Sequence, residues 1–491
     1  MTEPLILVLD EGTTSTRAML FTAQGKLQGA AQEQLAQHYP RTGWVEHDAR
    51  EIWDKTLACA RAMVAQAGGA ERIAAIGITN QRETVVAWDK ARGEPLCRAV
   101  VWQDRRTAEF CAELRAAGHE EAVQEKTGLL LDPYFSGTKM RWLLGNDDAV
   151  AEAAREGRLA LGTVDSWLVW KLTRGRSFIT DASNASRTQL LALEGASWDP
   201  ALCDLLGVPI SALPAVVDNA GPLAATHPDL FGAPIPITGM AGDQQAATIG
   251  QGCLAPGETK ATFGTGAFVL ANKGAAIPRS ANRLLGTVLH QLGGRRHYAL
   301  EGSVFVAGSL FQWLRDSLQM IVSAPESEEL ARSVPDSAGV VVIPALSGLG
   351  APHWRADARA AITGLSFAAT RAHVVRAALE AISHQTQDLA AAFAADGAEW
   401  TTLRIDGGMS SNDWLAQDLA GLLQVSVVRP DFVETTALGA AMLAALGAGL
   451  YGSLAEAAAA MIGSGERFEP GMDDAVRQRR LAGWQAALAK L

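Results

Sequence analysis

Apolar residues run without a break from Leu5 to Leu9 and stop on Asp10. A polar stretch, Glu11-Gly12-Thr13-Thr14-Ser15-Thr16, follows, and Arg17-Ala18-Met19-Leu20 opens a second apolar segment. Two short apolar runs around a Gly/Thr/Ser turn predict a β-hairpin. The pattern returns at mid-chain: Glu258 to Phe263, then Gly264-Thr265-Gly266, then Ala267 to Leu270. Two similar hairpins, each opening one half of the chain, predict a duplicated domain whose turns face each other.

Between the hairpins the period alternates. Asp48 reads as an N-cap with Glu51 as its capping-box partner, and Ile52, Trp53, Leu57, Ala60, Met63 and Val64 recur at helical spacing up to Gly68-Gly69. A buried strand, Ile73 to Ile78, ends in Thr79-Asn80-Gln81-Arg82-Glu83. Pro and Gly crowd between Pro209 and Pro236 and predict irregular connections. A short strand from Ile237 then delivers Asp243 after a small-residue turn. In the second half we expect a helix from Gly308 to Leu318 and a strand from Val340 to Ile343. A long helix capped by Thr370 follows, with Val374, Val375, Leu379, Ile382, Leu389 and Phe393 on one face. Strand Thr402 to Ile405, the turn Asp406 to Asn412 and a helix carrying Leu415, Leu419 and Leu422 come next. The Ala/Gly-rich run between Glu434 and Glu456 is too weakly hydrophobic for a membrane span and predicts a helix buried between layers. Alternating strands and helices in both halves imply two α/β domains with a cleft between them.

Length supports the division, since 491 residues exceed what one core holds. The expected domains are 1–249, opened by the first hairpin, and 250–491, opened by the second. A net charge of −11 argues against a nucleic-acid partner. Five cysteines without a CxxC pair suit a reducing cytoplasm. The histidines have no HExxH spacing, so no transition-metal site is indicated. The amino end enters a strand without a basic leader, which predicts no signal peptide.

The candidate chemistry lies at strand ends. Asp10, a turn rich in small donors, and Arg17 together suit a nucleotide phosphate with its metal ion; alone, the stretch is an ordinary polar hairpin. The second turn has Phe263-Gly264 in place of the acid and offers only donors. No GxxxxGK[ST] and no HRD or DFG motif occurs, which excludes a P-loop protein and a protein kinase. Asp243, at the junction of the halves, is the candidate base for a hydroxyl, although most aspartates after glycine are turn residues. Arg82 donates and Glu83 accepts, so the pair can hold vicinal hydroxyls. Trp102, Tyr134 and Phe268 would form an apolar wall for a polyol's C–H face, each being an ordinary core aromatic if judged singly.

Taken in order, these motifs resemble the FGGY carbohydrate kinases over essentially the whole chain. The likeness runs through Asp10 to Ala18, Gly43 to Asp48, Gly77 to Thr84, Trp102 to Thr107, Asp132 to Lys139 and Asn184 to Thr188. It continues through Ala241 to Ala247, Phe263 to Gly266, Ala360 to Glu380 and Asp406 to Asn412. The resemblance implies two related ribonuclease H-like domains of the actin and hexokinase type, with an interdomain cleft closing on ATP and substrate. It implies transfer of phosphate from MgATP to glycerol, giving sn-glycerol 3-phosphate, in glycerol uptake and catabolism. Residue by residue, Arg82, Glu83, Trp102, Tyr134, Asp243, Gln244 and Phe268 would line the glycerol site, with Asp243 as general base. Thr13, Thr14, Ser15 and Arg17 would meet the phosphates. Thr265, Gly308, Gln312, Gly408 and Asn412 would hold ADP or ATP. Asp10 and Asp243 would hold Mg2+ through water. The implied protein is cytoplasmic, has no membrane insertion, and forms a homodimer or homotetramer. A sister kinase for erythritol or dihydroxyacetone, or a non-catalytic actin-like ATP-binding regulator, are the alternatives. Glu11 departs from the family, where many members have glutamine, and would bring a further charge near the phosphates.

Overall fold

The computed structural model describes residues 3–355 and 357–491. The first hairpin is β1 (Leu5–Glu11) and β2 (Ser15–Thr22), extended by β3 (Leu27–Gln34). With β4 (Ile73–Asn80), β5 (Ala220–Ala225) and β6 (Pro236–Gly242) they form one six-stranded sheet in the order β5-β6-β4-β1-β2-β3. The mid-chain hairpin is β7 (Glu258–Phe263) and β8 (Ala267–Gly274). It joins β9 (Leu285–Leu292), β10 (Arg295–Val304), β11 (Thr402–Asp406), β12 (Ser426–Pro430) and β13 (Gly465–Phe468). The order there is β9-β10-β8-β7-β11-β12-β13.

The two sheets share one plan. In the first, β1 pairs antiparallel with β2 and parallel with β4, β4 is parallel to β6, and β5 closes the edge antiparallel to β6. In the second, β7, β8, β11, β12 and β13 repeat those relations, and β10 stands where β3 stands. Strand β9 is the addition. The expected duplication and the two-domain α/β class are therefore visible strand by strand.

Alternation along β1 sets both cores. Leu7 and Leu9 pack with Ile52, Ala60 and Met63 of helix α1 (Ala49–Ala67). Ile6 and Val8 face the other way, onto Ala246 and Ile249 of α2 (Asp243–Gly250) and Ala437, Ala441 and Leu443 of a late helix, Thr435–Gly447. Between these in the chain lie α3 (Gly308–Asp316), α4 (Arg371–Ala395) and α5 (Asp413–Leu423), so the late helix is α6. It is the buried helix expected from the Ala/Gly-rich run. It comes from the second half yet lies against the first sheet, at backbone distance. A Cβ on Gly439 would fall 1.8 Å from the Ala246 carbonyl oxygen, and one on Gly250 would fall 1.9 Å from that of Thr435.

Local readings differ at three points. Asp48 caps α1 through the Arg50 amide, but Glu51 instead pairs with Lys55 at 2.6 Å. The stretch from Pro209 to Pro236 contains ordered strands, β5 among them. Asp243 follows no turn: β6 ends on Gly242 and Asp243 begins α2 directly. Among the described residues no helix is long and apolar enough to cross a membrane.

The glycine crossing yields a signed prediction. Gly→Ala in an open helix interior stabilises by about 1 kcal/mol. Here Gly439→Ala forces backbone apart, and we expect a loss of about 1–3 kcal/mol, read as a lower denaturation midpoint. A variant as stable as the parent would mean that α6 is not seated on α2.

Candidate active site

The parallel register brings three strand ends to one edge. Asp10 lies opposite Thr79, Glu11 opposite Asn80, and Gly242 also opposite Asn80. The residues that follow, Gln81 to Glu83 and Asp243, therefore share an edge with the first turn. Asp10 points to the α6 side, where it is ion-paired with Arg17. Arg17 also reaches Glu434, the residue preceding α6, at 2.6 Å. Burial pushes the Asp10 carboxyl above its ordinary range, with Arg17 opposing. Glu11 points the opposite way, into the α1 side, and accepts hydrogen bonds from Thr16 and Thr56. Burial there raises its carboxyl to about 8. Its expected charge does not face the phosphates: the side chain is turned away from the cleft, and burial favours its neutral form. In the turn, the Gly12 amide donates to the Ser15 carbonyl at 3.0 Å, and Thr14 is exposed.

Arg82 and Glu83 are buried beside this turn, each side chain 2% exposed. Arg82 Nη1 donates to Glu301 at 2.6 Å, while its contacts to Asp243 (Nε, 3.3 Å), Tyr134 (Nη2 to the hydroxyl, 3.3 Å) and Gln245 (Nη1, 3.4 Å) are longer. Glu83 accepts from Arg187 Nε at 2.6 Å. Its backbone sits at φ 62°, a left-handed conformation that costs a non-glycine residue about 1–3 kcal/mol and clusters at functional sites. The Ser136 hydroxyl pins its carbonyl at 3.1 Å. Asp243 is the open member of the group, with 34% of its side chain exposed. Burial raises its carboxyl, and Arg82, the Gln244 amide and Lys260 oppose that rise. Trp102 and Tyr134 meet edge to face at 5.7 Å. The Trp102 indole N–H donates to Thr13 Oγ1 at 2.9 Å, tying the aromatic wall to the first turn.

The second half contributes from its own edge. Phe268 lies opposite Thr262 and Ser303, Leu270 opposite Lys260 and Glu301. Cross-strand partners share a face, so Lys260, Phe268 and Glu301 stand on one side of the second sheet. Lys260 Nζ donates to Gln244 Oε1 at 2.5 Å, which places that side toward the first half. The turn Gly264 to Gly266 is stitched to the start of α3: the Ala307 and Ser309 amides donate to the Thr265 carbonyl at 2.9 and 3.1 Å, and Gly308 N–H donates to Gly264 O at 2.9 Å. A Cβ at Gly308 would lie 2.5 Å from that oxygen. Gln312 is exposed one turn further along α3. Gly408 follows β11, and Asn412 caps α5 by accepting from the Leu415 amide at 2.9 Å.

The structure therefore joins Asp10 to Arg17, Thr13 to Trp102, and Arg82 to Asp243 and Tyr134, and it sets Thr265 against Gly308. Four side chains in this region were not assigned roles from the sequence: Arg187, Gln245, Lys260 and Glu301. Arg187 and Gln245 stood inside matched motifs and Lys260 inside the repeated hairpin; Glu301 had no local signal. Among the described residues no cluster of three or more His, Cys, Asp and Glu forms a metal cage. Asp10 and Asp243 nonetheless lie close enough for Asp10's charge to raise Asp243's carboxyl, a repulsion that a divalent cation relieves. Two carboxylates and water are the donor set of a hard cation such as Mg2+.

The sequence model described as the FGGY family of carbohydrate kinases, N-terminal domain, matches residues 5–250, and its C-terminal counterpart matches 259–448. A glycerol kinase of Alcanivorax borkumensis is 53% identical over 99% of this chain and 98% of its own length. A glycerol kinase of Methylobacterium nodulans is 52% identical with the same coverage. Among solved structures, Plasmodium falciparum glycerol kinase with ADP superposes with a TM-score of 0.94 at 34% identity, covering 99% of this chain and 98% of that one. A xylulose kinase of Rhodospirillum rubrum reaches 0.87 at 26% identity, with 99% of each chain covered.

Glu11 generates a pH prediction. Its carboxyl titrates near 4.5 when unfolded and near 8 when folded. The stability from its retained proton is full below pH 4.5 and is lost as pH rises through 8. Glu11→Gln keeps the neutral form throughout, so its melting temperature should rise relative to the parent between pH 5 and pH 9. An equal difference at both pH values would mean that Glu11 is ionised in the fold.

Proposed function

Since the chain belongs to the FGGY family of carbohydrate kinases, we propose that it transfers the terminal phosphoryl group of MgATP to glycerol, giving sn-glycerol 3-phosphate. The observation that carries this reading is the meeting of Arg82, Asp243 and Tyr134 in one group at the edge of the first sheet. The full-length similarity to glycerol kinases supports the choice of substrate.

The domains are taken as 1–249 for glycerol and the phosphate turn and 250–491 for the nucleotide. Arg82 donates to glycerol hydroxyls and Glu83 accepts from them, with the Tyr134 hydroxyl and Gln244 completing the polar set. Trp102 and Phe268 cover the C–H face. Asp243 accepts the proton of the terminal hydroxyl as its oxygen attacks phosphorus. Its partial exposure leaves one side of the carboxylate available, while Arg82 holds the other. Thr13, Thr14, Ser15 and Arg17 meet the phosphates, and the chain positions reactants more than it reacts with them. Thr265, Gly308, Gln312, Gly408 and Asn412 hold ATP and ADP; a side chain at Gly308 would collide with the Gly264 carbonyl. Asp10 and Asp243 would hold Mg2+ through water. The ion would neutralise phosphate charge. A cytoplasmic location, a role in glycerol uptake and catabolism, and a homodimer or homotetramer belong to the same reading.

The indole N–H of Trp102 occupies an acceptor site of Thr13 Oγ1. The threonine hydroxyl proton is thereby left to point at an anion.

Four measurements test this account. ADP release with MgATP should be fast with glycerol and slow with dihydroxyacetone, erythritol or xylulose; preference for another polyol would move the substrate, and binding without turnover would favour a regulator. Asp243→Asn should fold and lose about 10²–10⁴-fold in kcat. In the parent, kcat/KM should fall as acid protonates Asp243, with the midpoint above the usual aspartate value of about 3.9 because burial raises it. A fully active Asn variant would remove the base assignment. Trp102→Phe keeps an aromatic wall and loses the N–H, so kcat should drop while glycerol KM changes little; a rise confined to glycerol KM would limit Trp102 to the wall.

A further inference from the structure

The two hydroxyl-binding side chains of the proposed pocket are each held by a charge from elsewhere in the fold. Glu301, on β10 of the second sheet, accepts from Arg82 Nη1 at 2.6 Å and Nη2 at 3.2 Å. The same carboxylate accepts from Arg187 Nη2 at 3.1 Å, and Arg187 Nε donates to Glu83 at 2.6 Å. Arg82 Nε lies 3.8 Å from Glu83 and closes the ring. All four side chains are 0–2% exposed. The ring contains two cations and two anions, so it is neutral, and it leaves Asp243 outside as the carboxylate open to the cleft.

The contacts of Arg82 differ in length. Its shortest bond, from Nη1, goes to Glu301. Its contacts to Asp243, Tyr134 and Gln245, at 3.3–3.4 Å, are long for charge-assisted bonds. Those are the donors that substrate hydroxyls can take over. Arg187 is fixed independently, with its guanidinium over the rings of Tyr134 (5.5 Å) and Phe135 (5.2 Å). Its Nη1 is buried without a hydrogen-bond partner among the described residues.

We propose that Glu301 and Arg187 are positioning residues for glycerol: Glu301 orients the Arg82 fork, Arg187 orients the Glu83 carboxylate, and neither touches the reacting atoms. The inference rests on the glycerol reading above. It also means that the pocket is finished only by the second sheet, since Glu301 lies 219 positions beyond Arg82. The Arg82–Glu301 bond is a direct strut between the two halves, and substrate affinity depends on the halves being docked. The Arg187 and Arg82 guanidinium groups hold the Glu301 carboxyl well below its ordinary range, against the effect of burial.

The test is steady-state kinetics of the full chain with MgATP and glycerol, comparing the parent with Glu301→Gln, Glu301→Asp and Arg187→Lys. Glu301→Gln should raise glycerol KM about ten- to a hundredfold, the scale of a charge-assisted hydrogen bond. The KM for MgATP should stay within about twofold, with kcat falling less than kcat/KM for glycerol. Glu301→Asp should recover part of the loss, and Arg187→Lys should raise glycerol KM without removing the local charge. A merely structural pair would lower the melting temperature and the active fraction while leaving both KM values unchanged, and that result overturns the proposal. Removing one buried charge can prevent folding. In that case Glu301→Gln combined with Arg187→Gln removes one charge of each sign, and an unchanged glycerol KM in that folded variant overturns the proposal equally. A parent enzyme without turnover on glycerol overturns the glycerol reading together with this inference. A parent with turnover, beside variants of unchanged KM, overturns this inference alone.

Discussion

The arrangement depends on helix α6 lying at backbone distance on the first sheet and on α2. Gly439 and Gly250 permit the helix crossing, and Gly77 and Gly239 let the strands approach Ala440 and Ala444. The contact matters because of what begins and ends there. Glu434, just before α6, is bonded to Arg17 of the first hairpin. Thr435, its first residue, donates to Asp406 at the end of β11 at 2.7 Å. One helix start therefore ties the working edges of both sheets together. The opposite side of the crossing is α2, whose first residue is Asp243. A wider crossing would shift the proposed base relative to both hairpin turns.

Charge is distributed to suit this frame. Ionised carboxylates taken out of water are costly unless paired, and this region buries several. Glu11 lies behind β1, away from the cleft, where burial raises its carboxyl and favours the neutral form. Glu83 and Glu301 respond by pairing with Arg82 and Arg187. Asp10 pairs with Arg17. Asp243 alone among these retains substantial exposure, held by the Gln244 amide at 2.7 Å and a longer contact to Arg82, and this separates the proposed base from the paired carboxylates. Identical chemistry is thus assigned different roles by placement along adjacent strand ends.

Much of this was legible in the chain. Strand and helix periods located both hairpins, α4 and the buried α6, because each is a local pattern of burial. The residues at strand ends, Asp10, Arg82, Glu83 and Asp243, were legible for the same reason: parallel strands release their polar residues at a common edge. Other features were not local. Glu301 sits inside a strand with no turn or motif beside it, and its meaning comes from a partner in the other half. The direction of Glu11 depends on strand parity, since one position along β1 exchanges the cleft for the α1 core. The Trp102–Thr13 bond joins two segments 89 positions apart and is visible only when the fold brings them together.

The duplication explains why the two halves do different work with one plan. Each sheet presents a hairpin turn beside a parallel strand end, so each offers backbone donors to an anion at the same structural point. The first hairpin retains an acid, Asp10, opposite a cation, Arg17. The second has Phe263 and Gly264 in that region; its carbonyls accept from the amides that open α3, and the Gly264 amide donates within the turn to Gly266 O. Charge handling is therefore concentrated in the first copy and shape in the second. The strand position that in the first copy is the exposed edge β3 is in the second the internal strand β10, covered by β9. That added strand buries the neighbourhood of Glu301, and Thr287 on β9 is bonded to Gln245 of α2 at 3.0 Å. Divergence of one edge strand thus converts a solvent-facing position into a buried strut, and gives the second copy a side chain that can complete a pocket in the first.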